Sequence, residues 1–306
     1  MASKGMNKFL SFLSSSTLPS VNQMLVQFVS LCLSMCFGMS AMAADPRHPN
    51  SRDLPRIFSL NMCADPYLMA FADASQISAL SSLSRLAALS PFHQAAEEFP
   101  VSDGGIEDIL AHQPDIVIVS PYSSQMKQAL LEANGIRIVA LAASARFASA
   151  GAEILALGAA IGRADEAAAY WQALQNELAR AQRPDRGVRI LALQRRGLSA
   201  APSHVLAEII AGAGGQLSAP RHDPKRALLA MGLEQAIEMP ADVLLTAAPL
   251  GLPRDRGDEY LTHPALAAKF PENRRLYLPA RLTHCTGAST PLAVKHLADA
   301  LDKLDR

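Results

Sequence analysis

Aromatic side chains are scarce in this 306-residue sequence: they make up 5% of it, with a single tryptophan, Trp171. Alanine and leucine must fill most of the core, and few rings are left to stack on a large flat partner. Net charge is absent too, with 28 basic residues against 28 acidic. No basic arm or stripe stands out, which argues against nucleic acid as a partner. Cysteine is limited to Cys32, Cys36, Cys63 and Cys285. Beyond the first 43 residues no apolar run reaches the roughly 20 residues that a spanning helix needs, so the body of the chain reads as soluble. Catalytic signatures are missing as well. There is no G-x-S-x-G elbow and no P-loop. Gly212-Ala213-Gly214-Gly215 follows a helix pattern rather than a strand, so it reads as a helix stop and not as a dinucleotide fingerprint. No nucleophile–base pair emerges from the spacing, and nothing marks an enzyme.

The first 43 residues have their own pattern. Lys4 and Lys8 form a basic start, Met24 to Met42 is largely apolar and uncharged, and Ala41-Met42-Ala43 offers a cleavage site. That order is expected of a secretory signal peptide, residues 1–43, cut near Ala43. An uncleaved anchor is the alternative, because the apolar stretch is long enough to span. Met35, just before Cys36, argues against lipoprotein processing. Cleavage removes two lysines, no acid and two cysteines. It leaves Cys63 and Cys285 in a compartment where disulfides persist. Residues 44–54 are polar and proline-containing, and read as a flexible lead-in.

From Arg56 onward short apolar runs alternate with helical patterns. Strands are expected at Arg56–Leu60, Ile77–Leu80, Ile116–Val119 and Ile136–Leu141. Helices are expected at Pro66–Asp73 (capped near Asp65), Ile106–His112, Gln125–Ala133 and Phe147–Ile161, with 81–105 rich in loop. After Pro184 the pattern restarts. Strands fall at Val188–Leu193, Val243–Thr246 and Leu276–Leu278. Helices follow Ser203, which reads as a cap, and fall at Leu233–Glu238, Tyr260–Lys269 and Thr290–Leu304; Gln194–Pro202 and Ala280–Ala288 read as loops. Strands alternating with helices imply parallel sheets, whose ligands bind beyond the carboxyl ends of the strands. The segments to watch are therefore 61–65, 120–124, 194–202, 247–255 and 280–288.

Between the two halves lies Ala164–Gln182, built almost wholly from strong helix formers. Asp165 and Glu166 sit in its first turn and Arg180 near its end, as the helix macrodipole favours, and Pro184 stops it. At 1.5 Å per residue it makes a strut of roughly 28 Å. A repeated block flanks it. Ile106-Glu107-Asp108-Ile109-Leu110 leads to Pro114-Asp115-Ile116-Val117, and Leu233-Glu234-Gln235-Ala236-Ile237 leads to Pro240-Ala241-Asp242-Val243. The spacing from glutamate to aspartate is the same in both.

These blocks, together with RIFSLNMCADPYLMAFAD, VRILALQRRGLSAAPSHVLAEIIAGAGG and HCTGASTPLAVKHLA, resemble the periplasmic substrate-binding proteins of ABC importers over most of residues 55–304. The resemblance is to the rigid-helix type that carries cobalamin, ferric siderophores or haem; LNMCAD and HCTG look like a cobalamin-receptor-like subgroup. It implies an α/β fold of two similar lobes with mostly parallel sheets, residues 55–163 and 184–306, joined by a single linking helix, 164–183. It also implies a monomer in the periplasm, without a cofactor of its own, that captures a metal chelate between its lobes and delivers it to an importer permease in the inner membrane. Glu107 and Glu234 match the surface glutamate that each lobe of that family presents to the permease. The alternative within the same fold is a receptor for free zinc or manganese. It would need three or four His, Asp or Glu ligands, and the strand-end loops supply few: His284, with His93 or His204.

The candidate ligand contacts are Asn61, Met62, Cys63, Tyr122, Arg195, Arg196, His284 and Cys285. Three chemistries are open to Cys63 and Cys285: a disulfide, a thiolate on a metal or haem iron, or a pair of small buried hydrophobes. Tyr122 follows the central strand of the first lobe, where a phenol can stack on a ligand, ligate iron or pack on its own loop. Arg195 and Arg196 can pair with ligand carboxylates or form a solvated turn. Because one helix joins the lobes, a small opening motion is expected. Intact-mass measurement of the exported protein should give a chain beginning at Ala44; a mass that includes Met1 would leave the anchor reading standing.

Overall fold

The spacing that repeats in the sequence is built twice, and both copies do the same thing. Asp115 accepts the Arg56 backbone N–H at 2.7 Å while its own N–H donates to the Arg56 carbonyl at 2.9 Å. Asp242 accepts the Arg189 N–H at 2.9 Å and donates to the Arg189 carbonyl at 2.8 Å. Each aspartate fastens the start of one strand to the start of its neighbour. Asp242 also takes two contacts from the Arg189 guanidinium, at 3.1 and 2.7 Å, which hold its carboxyl down at about 2. Upstream, Gly105 and Gly232 are the extended N-caps of two six-residue helices in which Glu107 and Glu234 are the second residue, both exposed.

The computed structural model describes residues 54–142, 144, 146–220, 226–247 and 259–304. The expected leader, all of the lead-in but Leu54, and nearly all of the 247–255 loop lie outside the described residues. In the first lobe the strands are β1 (Ile57–Ser59), β2 (Ile77–Ser81), β3 (Val101–Ser102), β4 (Ile116–Val119) and β5 (Arg137–Ala140). They form one sheet in the order β3-β2-β1-β4-β5, every pair parallel. Its helices are α1 (Asp65–Phe71), α2 (Ile106–Ala111), α3 (Gln125–Ala133) and α4 (Phe147–Ala160). Along β4 the side chains alternate. Ile116 and Ile118 pack with Tyr67, Leu68, Ile154 and Leu157, while Val117 and Val119 pack on the other face with Ile109 and Leu131. A sheet covered on both faces needs continuous apolar strands, which is why this one reads Ile-Val-Ile-Val.

The strut is α5 (Ala164–Ala181). It is no free-standing rod. Ala167 and Leu174 lie in the core of the first lobe, Ala181 in that of the second, and Leu178 touches both. These buried positions recur every seventh residue, a single stripe along the helix. The strut lies against α4 so closely that a Cβ on Gly158 would come within 2.2 Å of the Ala167 Cβ. The ring of Trp171 covers Gly151 and stands 4.8 Å from that of Phe147.

In the second lobe the strands are β6 (Val188–Gln194), β7 (Leu198–Ala200), β8 (Gly215–Ser218), β9 (Leu228–Ala230), β10 (Val243–Ala247) and β11 (Arg275–Leu278). The helices are α6 (Val205–Gly212), α7 (Leu233–Glu238), α8 (Pro264–Lys269) and α9 (Thr290–Leu304). The parallel run β11-β10-β6-β8 reproduces β5-β4-β1-β2 of the first lobe, so the repeat is one of topology. Antiparallel β7 and β9 are an addition. They correct the expected loop Gln194–Pro202, most of which is a hairpin. The cap of α6 is His204, whose Nδ1 accepts the Leu206 N–H at 3.1 Å, and not Ser203. The helix expected from Tyr260 begins only at Pro264, a residue suited to the first helical turn.

Asp115→Ala removes one charge-assisted contact and leaves the Arg56 N–H to water. It should lower unfolding stability by about 1 kcal/mol, read as a lower urea midpoint with unchanged helix content; an unchanged midpoint would mean that the clamp contributes nothing.

Candidate functional site

The loops after β1, β2, β4, β6 and β11 gather at the carboxyl ends of the two parallel sheets, where folds of this kind hold their ligands. The loop after β1 is a structural node. Asn61 is 7% exposed. Its side-chain amide donates to the carbonyls of Val119 at 3.2 Å and Leu141 at 3.1 Å, and its Oδ1 accepts the Cys63 N–H at 3.0 Å. It ties the ends of three neighbouring strands together, so its amide is engaged in holding the loop. Met62 is half-buried and lines a small cavity with Cys63, Tyr67, Phe92, Arg281 and Cys285.

Cys63 and Cys285 are joined in a disulfide, with Cα atoms 5.2 Å apart and a sequence separation of 222. Of the three chemistries open to them, the structure contains this one. Neither sulfur is then a thiolate, so neither can ligate a metal while the bond is intact. The bond crosses from the loop after β1 in the first lobe to the segment before α9. That segment also leans on the first lobe: the Tyr67 hydroxyl donates to the Thr286 carbonyl at 3.0 Å, and Ala288 belongs to the first lobe's core. On the other flank Glu208 of α6 accepts the Phe147 N–H at 2.8 Å and the Arg146 guanidinium at 2.9 Å.

Asp65 does not cap α1; the N-cap is Ala64, without a side-chain bond. Its carboxylate is fully buried, where Oδ2 accepts the Ser81 N–H at 3.0 Å and the Ser84 hydroxyl, and Oδ1 has no partner. Burial pushes its pKa up to about 7, opposed by the Ser84 and Ser81 hydrogen bonds and by the nearby Ser59 hydroxyl. The residue holds the loop after β2 against the loop after β1.

Beyond this node the first lobe presents large apolar side chains to solvent: Leu83 is 45%, Leu86 48%, Tyr122 91% and Met126 82% exposed. All four sit after β2 or β4, at the carboxyl end of the sheet. The sequence pointed to Tyr122 alone. Met126 reads as an ordinary helix residue and the leucines as loop packing, since hydrophobicity alone does not tell an exposed leucine from a buried one. In the second lobe Arg195 and Arg196 occupy the tip of the β6–β7 hairpin, both exposed. Arg196 has φ 61°, and Gly197 after it has φ 68° with a prospective Cβ 2.7 Å from the Met231 carbonyl oxygen, so glycine is required there. A left-handed non-glycine residue at a strand end is a form of strain that clusters at working sites. His284 is exposed beside Cys285, and partial desolvation lowers its pKa, which favours the neutral ring. His204 uses Nδ1 for its cap and His93 sets its Nδ1 3.2 Å from the Ser90 carbonyl. Among the described residues no group of three His, Cys, Asp or Glu side chains converges as metal ligands would.

The buried carboxyl gives a pH signature. Asp65 ionises near pH 4 in an unfolded chain and near 7 in the fold, so the folded state binds the extra proton between those values. Stability should therefore fall as pH rises through that window and level off above it. Asp65→Asn, which keeps acceptors and cannot ionise, should flatten the fall. Urea midpoints at about pH 5 and about pH 8 check this; equal slopes for variant and parent would show that Asp65 is not the group.

A sequence model described as periplasmic binding protein matches residues 98–278. No curated protein sequence matches the chain. Solved structures share the fold at low identity. The periplasmic haem-binding protein HutB of Vibrio cholerae is 18% identical with a TM-score of 0.66, over 80% of this chain and 98% of that one. A periplasmic haem-binding protein from Pseudomonas aeruginosa is 22% identical with a TM-score of 0.60, over 81% and 92%. The periplasmic vitamin B12-binding protein BtuF of Vibrio cholerae is 19% identical with a TM-score of 0.56, over 83% and 98%. With more than half of its length matched by the family and the two-lobed fold in place, the chain belongs to the periplasmic binding protein family.

Proposed function

We propose that the protein is the exported receptor of an ABC importer, and that it captures a metal chelate with an extended apolar face, such as a corrinoid, haem or a ferric siderophore, between its two lobes. The observation that carries this reading is the exposure of Leu83, Leu86, Tyr122 and Met126 at the ligand end of the first sheet. A free cation has no use for such a wall, whereas a macrocycle or a large chelate buries it with a gain of about 25 cal/mol per Å². Arg195 and Arg196 supply a cationic edge suited to carboxylates on the ligand rim. Haem- and B12-binding proteins of the same fold support the class of ligand. A zinc or manganese receptor would draw on a convergent donor set, and the described residues contain none.

In this reading the protein acts by binding alone. Its leader is removed on export, it works as a monomer, and Glu107 and Glu234 dock it on the permease. Their equivalent places on α2 and α7 give the two lobes matching acidic contacts. Among the described residues no helix is long and apolar enough to cross a membrane; in this reading the permease is the membrane partner.

Titration of the purified protein with haemin, cobalamin and a ferric siderophore, followed by visible absorbance and by Trp171 fluorescence, tests the ligand class. One of the three should saturate the protein, and Met126→Asp should weaken it by about tenfold or more, the cost of setting a charge against an apolar ligand. Failure of all three, with tight zinc binding, would overturn the reading. Separately, Glu107→Arg with Glu234→Arg should abolish uptake and leave affinity unchanged.

A further inference from the structure

Two covalent crossings join the lobes: the backbone of α5 and the Cys63–Cys285 bond. They run side by side, because Tyr67 touches both. Its hydroxyl donates to Thr286 beside the disulfide, and its ring meets that of Tyr170 on the strut edge-on at 6.2 Å. The segment after Cys285 is seated tightly. Gly287 has φ 109°, and a Cβ there would stand 2.0 Å from the Tyr67 hydroxyl oxygen. A helix packed into both cores leaves the lobes only a small range of relative motion, and a second attachment restricts that motion further, to rotation about the line through both. A disulfide that merely stabilises could sit inside either lobe. This one spans the two parts that a binding protein moves against each other.

We propose that the Cys63–Cys285 disulfide is a redox-operated second pivot. Oxidised, it confines lobe motion to one axis; reduced, it frees the second lobe to swing on the strut alone. Both cysteines are half-buried rather than sealed, and the cavity beside them is lined by Arg281, whose charge favours an approaching thiolate. The reductant is a dithiol of the thioredoxin-like class. One of its thiolates attacks one of the two sulfurs, the Cys63–Cys285 bond breaks, and the other cysteine leaves as a thiolate. The second thiol then resolves the mixed disulfide. Two electrons and two protons pass to Cys63 and Cys285, and the reductant departs as a disulfide. Among the described residues, the contacts that remain across the junction include the Tyr67–Thr286 hydrogen bond, the packing of Ala288, the Glu208 contacts to Arg146 and Phe147, and the Arg146 bond to the Pro202 carbonyl.

The test uses the full exported protein without any ligand, so its outcome is independent of the proposed ligand class. Three forms are compared: oxidised, reduced with dithiothreitol under native conditions, and Cys63→Ser/Cys285→Ser. Amide exchange of residues 285–290 and of the start of α4 should rise by about tenfold on reduction. Small-angle scattering should broaden, circular dichroism should keep its helix content, and reoxidation should restore the first state. The double variant should match the reduced form and no longer respond to the reductant. Identical exchange and scattering in all three forms would overturn the proposal. So would reduction that unfolds the whole protein, because a switch requires two folded states.

Discussion

A parallel sheet covered by helices on both faces has little left to offer except its edges and the ends of its strands. That constraint shapes the rest of this protein. It fixes the apolar content of β1, β4, β6 and β10, whose residues must satisfy two cores at once. It also pushes every side chain with chemical potential into the loops at the carboxyl ends. The two lobes meet the constraint with the same strand order, and each fastens its central pair with an aspartate that bonds a backbone N–H.

Placing function in loops creates a second requirement, because loops have to be held. Asn61 and Asp65 do this in the first lobe, one by bonding the carbonyl ends of neighbouring strands and the other by bonding the turn after β2. Polar groups used this way must be buried and almost fully paired, since an unmet bond in the interior is costly. Asp65 keeps one oxygen without a partner, and burial away from water is what raises its pKa. Around this node stand the exposed apolar groups Leu83, Leu86, Tyr122 and Met126.

The architecture was legible in the sequence because long signals carried it. Ala164–Gln182 has helical composition throughout, and the structure ends that helix one residue earlier. The Glu-to-Asp repeat announced two related lobes. The misses fall where the signal is short or where a residue type has two uses. Gly215–Ser218 and Leu228–Ala230 are too brief and too mixed to show alternation, and Val101–Ser102 has only two residues. Leu198–Ala200 lies between Gly197 and Pro202, which together read as loop. Ser203 and His204 are both competent caps, and only geometry chooses between them. The pairing of Cys63 with Cys285 stayed open because two thiols define neither proximity nor metal geometry.

The distance along the chain between those two cysteines has a consequence for how the protein is made. A polypeptide emerges from its N-terminus, so Cys63 appears early and its partner only after another 222 residues. For most of that interval the first lobe can complete its sheet, since β1 to β5 all precede the strut. Its key loop would do so with an unpaired thiol at its tip. The cross-link therefore seals a molecule whose first half has already taken shape, and vectorial emergence sets the order in which its joints are closed.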